Sequence, residues 1–158
     1  MAERDRDESG RPRNDRPRDA LGRPLPVGSE GIPRVPDNLE LSPAETLAYA
    51  QDLLNAGFAF KAHEVLEAAW KNGPGDERPL WQGLAQLAVG ITHVQRGNRN
   101  GAVALFLRGS SHLSEVRQPA PHRVDIDGLG SWAGALVTDL AASAEISPTR
   151  LRPPLTTR

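Results

Sequence analysis

The chain contains no cysteine, no long apolar run and almost no net charge. Without cysteine it has no disulfide, no thiolate metal site and no cysteine nucleophile. Its N-terminus lacks the apolar core of a signal peptide, and no apolar run is long enough to span a bilayer. We therefore expect a cytoplasmic protein with no membrane partner.

The distribution of charge argues against a nucleic-acid partner. The formal net charge is −1 at pH 7, and the N-terminal region mixes both signs. Nucleic-acid binders instead concentrate lysine and arginine on one face. We expect no nucleic-acid partner, and composition identifies neither a small ligand nor a protein partner.

Hydrophobic residues are distributed unevenly along the chain. Residues 1–38, which begin "MAERDRDESGRPRNDRPRDALGRP", are dominated by Arg, Asp, Glu, Pro and Gly and cannot bury enough apolar surface to fold. Residues 39–145 are long enough to bury a core and form the expected helical domain. Residues 146–158, which end in "SPTRLRPPLTTR", are expected to be a second disordered tail.

Five helices are predicted between these tails. The first begins at Ser42, which with Glu45 forms a capping box, and it ends near Gly57. Helical spacing of apolar residues predicts four more helices, over about 58–71, 79–97, 100–116 and 127–144. Strand alternation is absent, and the short connections predict an all-α bundle of antiparallel helices.

The second helix carries an HExxE motif within "FKAHEVLEAAW" (60–70). His63 and Glu67 are four residues apart and can touch. Phe60 and Trp70 flank them at the edge of the apolar face. A carboxylate beside aromatic rings can have a raised pKa, so Glu67 is a candidate acid.

The third helix carries a polar face of its own, formed by Gln82, Gln86 and His93. Gly83 and Gly90 lie beside it and allow another helix to approach closely. In an antiparallel hairpin, the helical rise places Glu67 near Gln82 and His63 near Gln86, with His93 about two turns farther on. This geometry favours a network of His63, Glu67, Gln82 and Gln86.

"FKAHEVLEAAWK" and "LWQGLAQLAVGITHVQRGNRNGAVALFLRGSSHL" together resemble the family called domain of unknown function 309 (DUF309). The positions that match its motifs are His63, Glu64, Leu66, Glu67, Trp70, Gln82, Gly83, Leu84, Gln86, His93, Gly97, Asn98, Gly101 and Ala102. The resemblance extends over about residues 46–116. It implies a small all-helical domain but supplies no reaction.

Two functional interpretations of the motif involve chemistry. In the first, His63, Glu67 and His93 are ligands of a divalent metal, water is a fourth ligand, and Glu64 is the general base. In the second, no metal is present: Glu67 and His63 perform acid–base chemistry, or a ligand pocket is lined by Phe60, Trp70, Gln82 and Gln86. His112 and His122 are too distant along the chain to take part, and His112 is expected on a helix surface.

Two further interpretations involve no chemistry. The His/Glu/Gln cluster can hold the helices in register, since buried polar networks specify one packing. The protein is then an interaction or adaptor module, with Trp81 either part of a binding surface or packed on the first helix. Our preferred interpretation is a small-molecule or metal-ion site between the second and third helices, and the adaptor module is the alternative.

Overall fold

A computed structural model describes residues 40–157, so the N-terminal segment expected to be disordered lies outside the described residues. Between 40 and 157 the chain forms five α-helices and no strand beyond one isolated bridge, which confirms the all-α prediction. Each helix begins and ends within about three residues of its predicted bounds. None of them is both long and apolar enough to cross a membrane. The helices are α1 (Pro43–Asn55), α2 (Ala59–Asn72), α3 (Arg78–Gln95), α4 (Arg99–Ser114) and α5 (Ile126–Ala141).

Side-chain caps begin three of the helices. At α1, the Ser42 hydroxyl accepts from the Glu45 backbone N–H, and the Glu45 carboxylate accepts from the Ser42 N–H, both at 3.1 Å. This is the predicted capping box. Asn98 and Asp125 cap α4 and α5 in the same position, each accepting a backbone N–H from the residue three further on.

Three helices end in the same left-handed turn. Gly57, Gly97 and Ser143 have φ values of 86°, 77° and 59°. In each turn this residue and the next one donate backbone N–H groups to carbonyls in the last turn of the helix, which is the Schellman arrangement. Glycine adopts a positive φ without strain, whereas serine does not. The end of α5 is therefore the strained member of the three.

α3 lies at the centre of the bundle and packs against both α2 and α4. Two glycines make the α3–α4 contact close: a Cβ added at Gly83 would lie 3.0 Å from the Gly109 carbonyl oxygen, and one at Gly109 would lie 2.9 Å from that of Gly83. At Gly90 the ring of Phe106 occupies the space of a side chain. The predicted close approach at Gly83 and Gly90 is confirmed, and the approaching helix is α4.

Residues 146–157, expected to be a disordered tail, lie against the helices in the structure, and we call them the C-terminal segment. Leu151 and Leu155 are 8% and 4% exposed, so both belong to the core. The amide of Gln51 on α1 donates to the Pro153 carbonyl and accepts from the Leu155 N–H. These contacts satisfy the backbone of a proline-rich stretch that has no helical periodicity of its own.

Candidate functional site

His63 and Glu67 are in contact, as predicted. His63 Nε2 lies 2.8 Å from Glu67 Oε2, and Lys71 Nζ lies 3.0 Å from Glu67 Oε1. His63 Nδ1 lies 2.9 Å from the Phe60 carbonyl oxygen. Carbonyl and carboxylate oxygens only accept hydrogen bonds, so both contacts form together only when both ring nitrogens carry a proton. All four residues belong to the α2 region, and the pair contributes no bond to α3.

Glu67 is held in its ionised form. The hydrogen bond from His63, together with Lys71, outweighs the opposing effect of burial and lowers the pKa of Glu67 from 4.5 to about 2. The shift is therefore opposite in direction to the raised pKa expected from the sequence, and it does not favour an acid role for Glu67. Burial raises the pKa of this carboxylate less than the hydrogen bonds from His63 and Lys71 lower it.

The predicted network with the glutamines of α3 does not form. Gln86 Oε1 instead accepts from His112 Nδ1 of α4 at 2.6 Å. Gln82 is partly exposed, and within residues 40–157 no hydrogen bond joins it to His63 or Glu67. His112, expected on a helix surface, thus joins α4 to α3, because the closely packed glycines bring these two helices together.

His93 lies in the last turn of α3, apart from the His63–Glu67 pair. Its Nδ1 accepts from Asn98 Nδ2 at 3.2 Å, and burial, aided by Arg96, lowers its pKa. The described residues contain no group of three or more His, Asp or Glu side chains placed to hold a metal. The predicted triad of His63, Glu67 and His93 is therefore not assembled.

The remaining candidates on α2, which are Phe60, Glu64 and Trp70, lie within about one turn of the pair. The Phe60 ring lies 4.9 Å from the His63 ring, centre to centre, and the Arg96 guanidinium lies 5.9 Å from the Phe60 ring centre. Trp70 is partly buried against the core. Glu64 is partly exposed beside His63. On this face of α2, the hydrogen-bonded side chains of His63, Glu67 and Lys71 follow one another along the helix, and the ring of Phe60 packs beside His63.

A second polar cluster, which sequence reasoning missed, lies at the start of α3. Glu77 Oε1 accepts from Trp81 Nε1 at 3.1 Å and from His122 Nε2 at 2.9 Å. The rings of Trp81 and His122 lie 5.9 Å apart. Trp81 is only 2% exposed, so its ring packs inside the domain and is not part of an outer surface for a protein partner. The spacing of Glu77 and Trp81 was visible in the sequence, whereas His122 comes from a distant loop.

Glu77 is also ionised. Burial raises its pKa, but the hydrogen bonds from His122 and Trp81 outweigh that effect and leave the pKa below its ordinary value. Both donors bind the same oxygen, Oε1. These two contacts fix the orientation of the carboxylate. Its second oxygen, Oε2, takes part in neither of them.

Glu77 and Trp81 line a cavity of about 340 Å³. α1 contributes Thr46 to its wall, α2 contributes Val65, Ala68 and Ala69, and the α2–α3 connection closes one side. We call this space the interhelical cavity. It lies between the second and third helices, as the predicted site does, but toward the end of α2. Neither His63 nor Glu67 lines it.

Residues 47–105 match the family described as "Domain of unknown function (DUF309)". The predicted resemblance to DUF309 is confirmed. The match runs from α1 into α4, so it includes the HExxE motif and most of the interhelical cavity, while His122 lies beyond it.

One curated relative has a similar sequence over part of its length. "Uncharacterized protein YpuF" of Bacillus subtilis (strain 168) is 37% identical over 79 residues, which are 49% of this chain and 42% of that protein. The chain therefore spans less than half the length of this relative. No solved structure matches the chain.

Proposed function

We propose that this protein binds a small organic molecule in the interhelical cavity. The observation that carries the proposal is a cavity with an apolar wall and one fixed, ionised carboxylate, that of Glu77. Ligand sites are commonly concave, mostly apolar and supplied with a few oriented polar groups. The volume of about 340 Å³ lies at the lower end of the range of such sites, which suits a compact ligand.

In this proposal the His63–Glu67–Lys71 chain has a structural role. Each of the hydrogen-bonding atoms described for His63 and Glu67 is engaged by a partner on α2. A ligand at this position would have to displace one of these contacts. The interhelical cavity requires no such displacement, because Glu77 keeps both of its partners when a ligand approaches its other oxygen.

Filling the cavity tests the proposal. Ala69 lines it and is partly exposed, so Ala69→Leu should occupy the cavity with little effect on folding. Ala135→Leu on the exposed face of α5 is the matched control. A library of small organic fragments would be screened by protein-observed NMR on the full chain.

The expected result is a set of fragments that shift the Trp81 indole signal in the parent and in Ala135→Leu, but not in Ala69→Leu. If no fragment perturbs Trp81, or if Ala69→Leu binds fragments as the parent does, the proposal is wrong. The adaptor interpretation would then be the better one.

A further inference from the structure

The charged side chains that line the interhelical cavity are of one sign in the part of the chain that the structure describes. Among the described residues that line it, Glu40 and Glu77 are carboxylates, and none is Lys, Arg or His. An anionic ligand would meet repulsion from these carboxylates, whereas a cation would meet two opposite charges. Like-charge contacts of this kind are an effective means of rejecting the wrong ligand.

The geometry of Glu77 supports a directed contact rather than a diffuse attraction. Trp81 and His122 hold Oε1 from two directions. In the contact with His122 the Nε2–H group donates and Glu77 Oε1 accepts, so the second carboxylate oxygen takes no part in it. Oε2 can then accept an N–H from a ligand in a charge-assisted hydrogen bond.

The end of α2 adds to the same preference. Ala68, Ala69 and Gly73 line the cavity at the C-terminus of this helix, where exposed carbonyl groups give a partial negative charge. The N-terminus of α1 also borders the cavity, but Pro43 has no N–H and the N–H groups of Ser42 and Glu45 are engaged in the capping box. The positive end of α1 therefore offers little to an anion.

We infer that the ligand of the interhelical cavity is an organic cation, with an ammonium group bound to Oε2 of Glu77 and an apolar body against Val65, Ala68 and Trp81. This inference rests on the proposed function. It adds the chemical class of the ligand and the residue that selects it.

Three molecules of similar shape and different charge test the inference: phenethylamine, phenethyl alcohol and phenylacetate. Each would be titrated into the full chain and followed by NMR. We expect phenethylamine to bind about ten-fold more tightly than the alcohol, which corresponds to about 1.4 kcal/mol, and phenylacetate to bind most weakly.

Glu77→Gln keeps an oxygen that accepts from Trp81 and His122 but removes the charge, so it should abolish the preference for the amine while the alcohol still binds. Glu67→Gln is the matched control, an ionised glutamate outside the cavity, and should leave the preference unchanged. Equal binding of alcohol and amine in the parent, sensitive to Ala69→Leu, would overturn the ligand class and leave the cavity site standing. If Ala69→Leu affects none of the three, the proposed function itself is wrong. An amine preference that survives in Glu77→Gln would remove Glu77 from the inference.

Discussion

His122 and Glu77 are separated by 45 residues, yet His122 Nε2 lies 2.9 Å from Glu77 Oε1. The contact joins the loop before α5 to the residue that immediately precedes α3. His122 makes it from a backbone with φ of 59°, a conformation that costs a non-glycine residue about 1 kcal/mol. The loop is therefore strained at the residue that orients the carboxylate of the cavity.

Replacing His122 should affect both stability and the charge on Glu77. His122→Ala removes a partly exposed hydrogen bond to a carboxylate and should lower the free energy of unfolding by about 1 kcal/mol. His122→Gly loses the same bond but relieves the strain, so it should be less destabilising. In both variants the pKa of Glu77 should rise, because one of the donors that lowers it is gone. Urea denaturation and an NMR titration of the Glu77 carboxyl measure the two effects, and an unchanged Glu77 pKa would contradict the assignment.

The left-handed turn after α5 offers a stabilising substitution. Ser143→Gly should raise the free energy of unfolding by about 0.5 to 1 kcal/mol, because glycine adopts φ of 59° without strain. The reverse change, Gly97→Ser, tests the same cost of a positive φ in the turn after α3, where an added Cβ would meet nothing within 4 Å. It should lower stability by a similar amount in thermal or chemical denaturation. Opposite signs for the two changes are required by this account, and equal signs would refute it.

The close contact of α3 and α4 should not tolerate a methyl group. Gly109→Ala would place a Cβ 2.9 Å from the Gly83 carbonyl oxygen and 2.8 Å from Leu87. The helices must separate, so we expect a loss of about 2 to 3 kcal/mol in the free energy of unfolding. Gly134→Ala on α5 is the control, since its Cβ would meet nothing within 4 Å. Helix propensity alone predicts that this change stabilises by up to about 1 kcal/mol.

The His63–Glu67–Lys71 chain should give the protein a measurable acid sensitivity. The pKa of Glu67 is about 2 in the folded protein and 4.5 ordinarily, so its stabilising contribution is complete above pH 4.5 and is lost as the pH falls toward 2. Glu67→Gln lacks this contribution. Because Glu67 is about one third exposed, we expect the substitution to cost only about 1 kcal/mol near neutral pH.

Urea denaturation between pH 2 and pH 7 tests this expectation. The difference in the free energy of unfolding between the parent and Glu67→Gln should decrease as the pH falls from 4.5 toward 2. A difference that stays constant with pH would show that the carboxylate charge is not what stabilises α2. If Glu67→Gln instead lost ligand binding with little change in stability, the HExxE motif would be the better candidate for the functional site.

The helices and the His63–Glu67 contact were predictable because both depend on residues close in the chain. Caps, glycine stops and apolar spacing determine where each helix begins and ends, and a separation of four residues places His63 beside Glu67. Gln86 shows where this reasoning fails. Its partner, His112, depends on how α4 lies across α3, and one sequence does not specify that orientation.

The same limit applies to the C-terminal segment and to the cavity. Leu151 and Leu155 lie among prolines without periodicity, so their burial follows only from the surfaces they meet. Glu77 and Trp81 share a helical spacing, but the cavity beside them forms from three separate helices. Composition alone did not predict that the C-terminal segment is ordered, because its backbone hydrogen bonds are made with Gln51, a residue distant in the chain.

The C-terminal segment also bears on the order of folding events. The Leu155 N–H reaches Gln51 Oε1 across 104 positions, whereas the helical hairpins join near neighbours in the chain. Closing so long a loop costs more entropy than closing a helical hairpin, so we expect this contact to form after the transition state. Gln51→Ala should therefore accelerate unfolding and leave the folding rate almost unchanged in stopped-flow experiments. The lifetime of the folded protein then depends on how firmly the C-terminal segment is docked, whereas the rate of folding depends on the helical bundle.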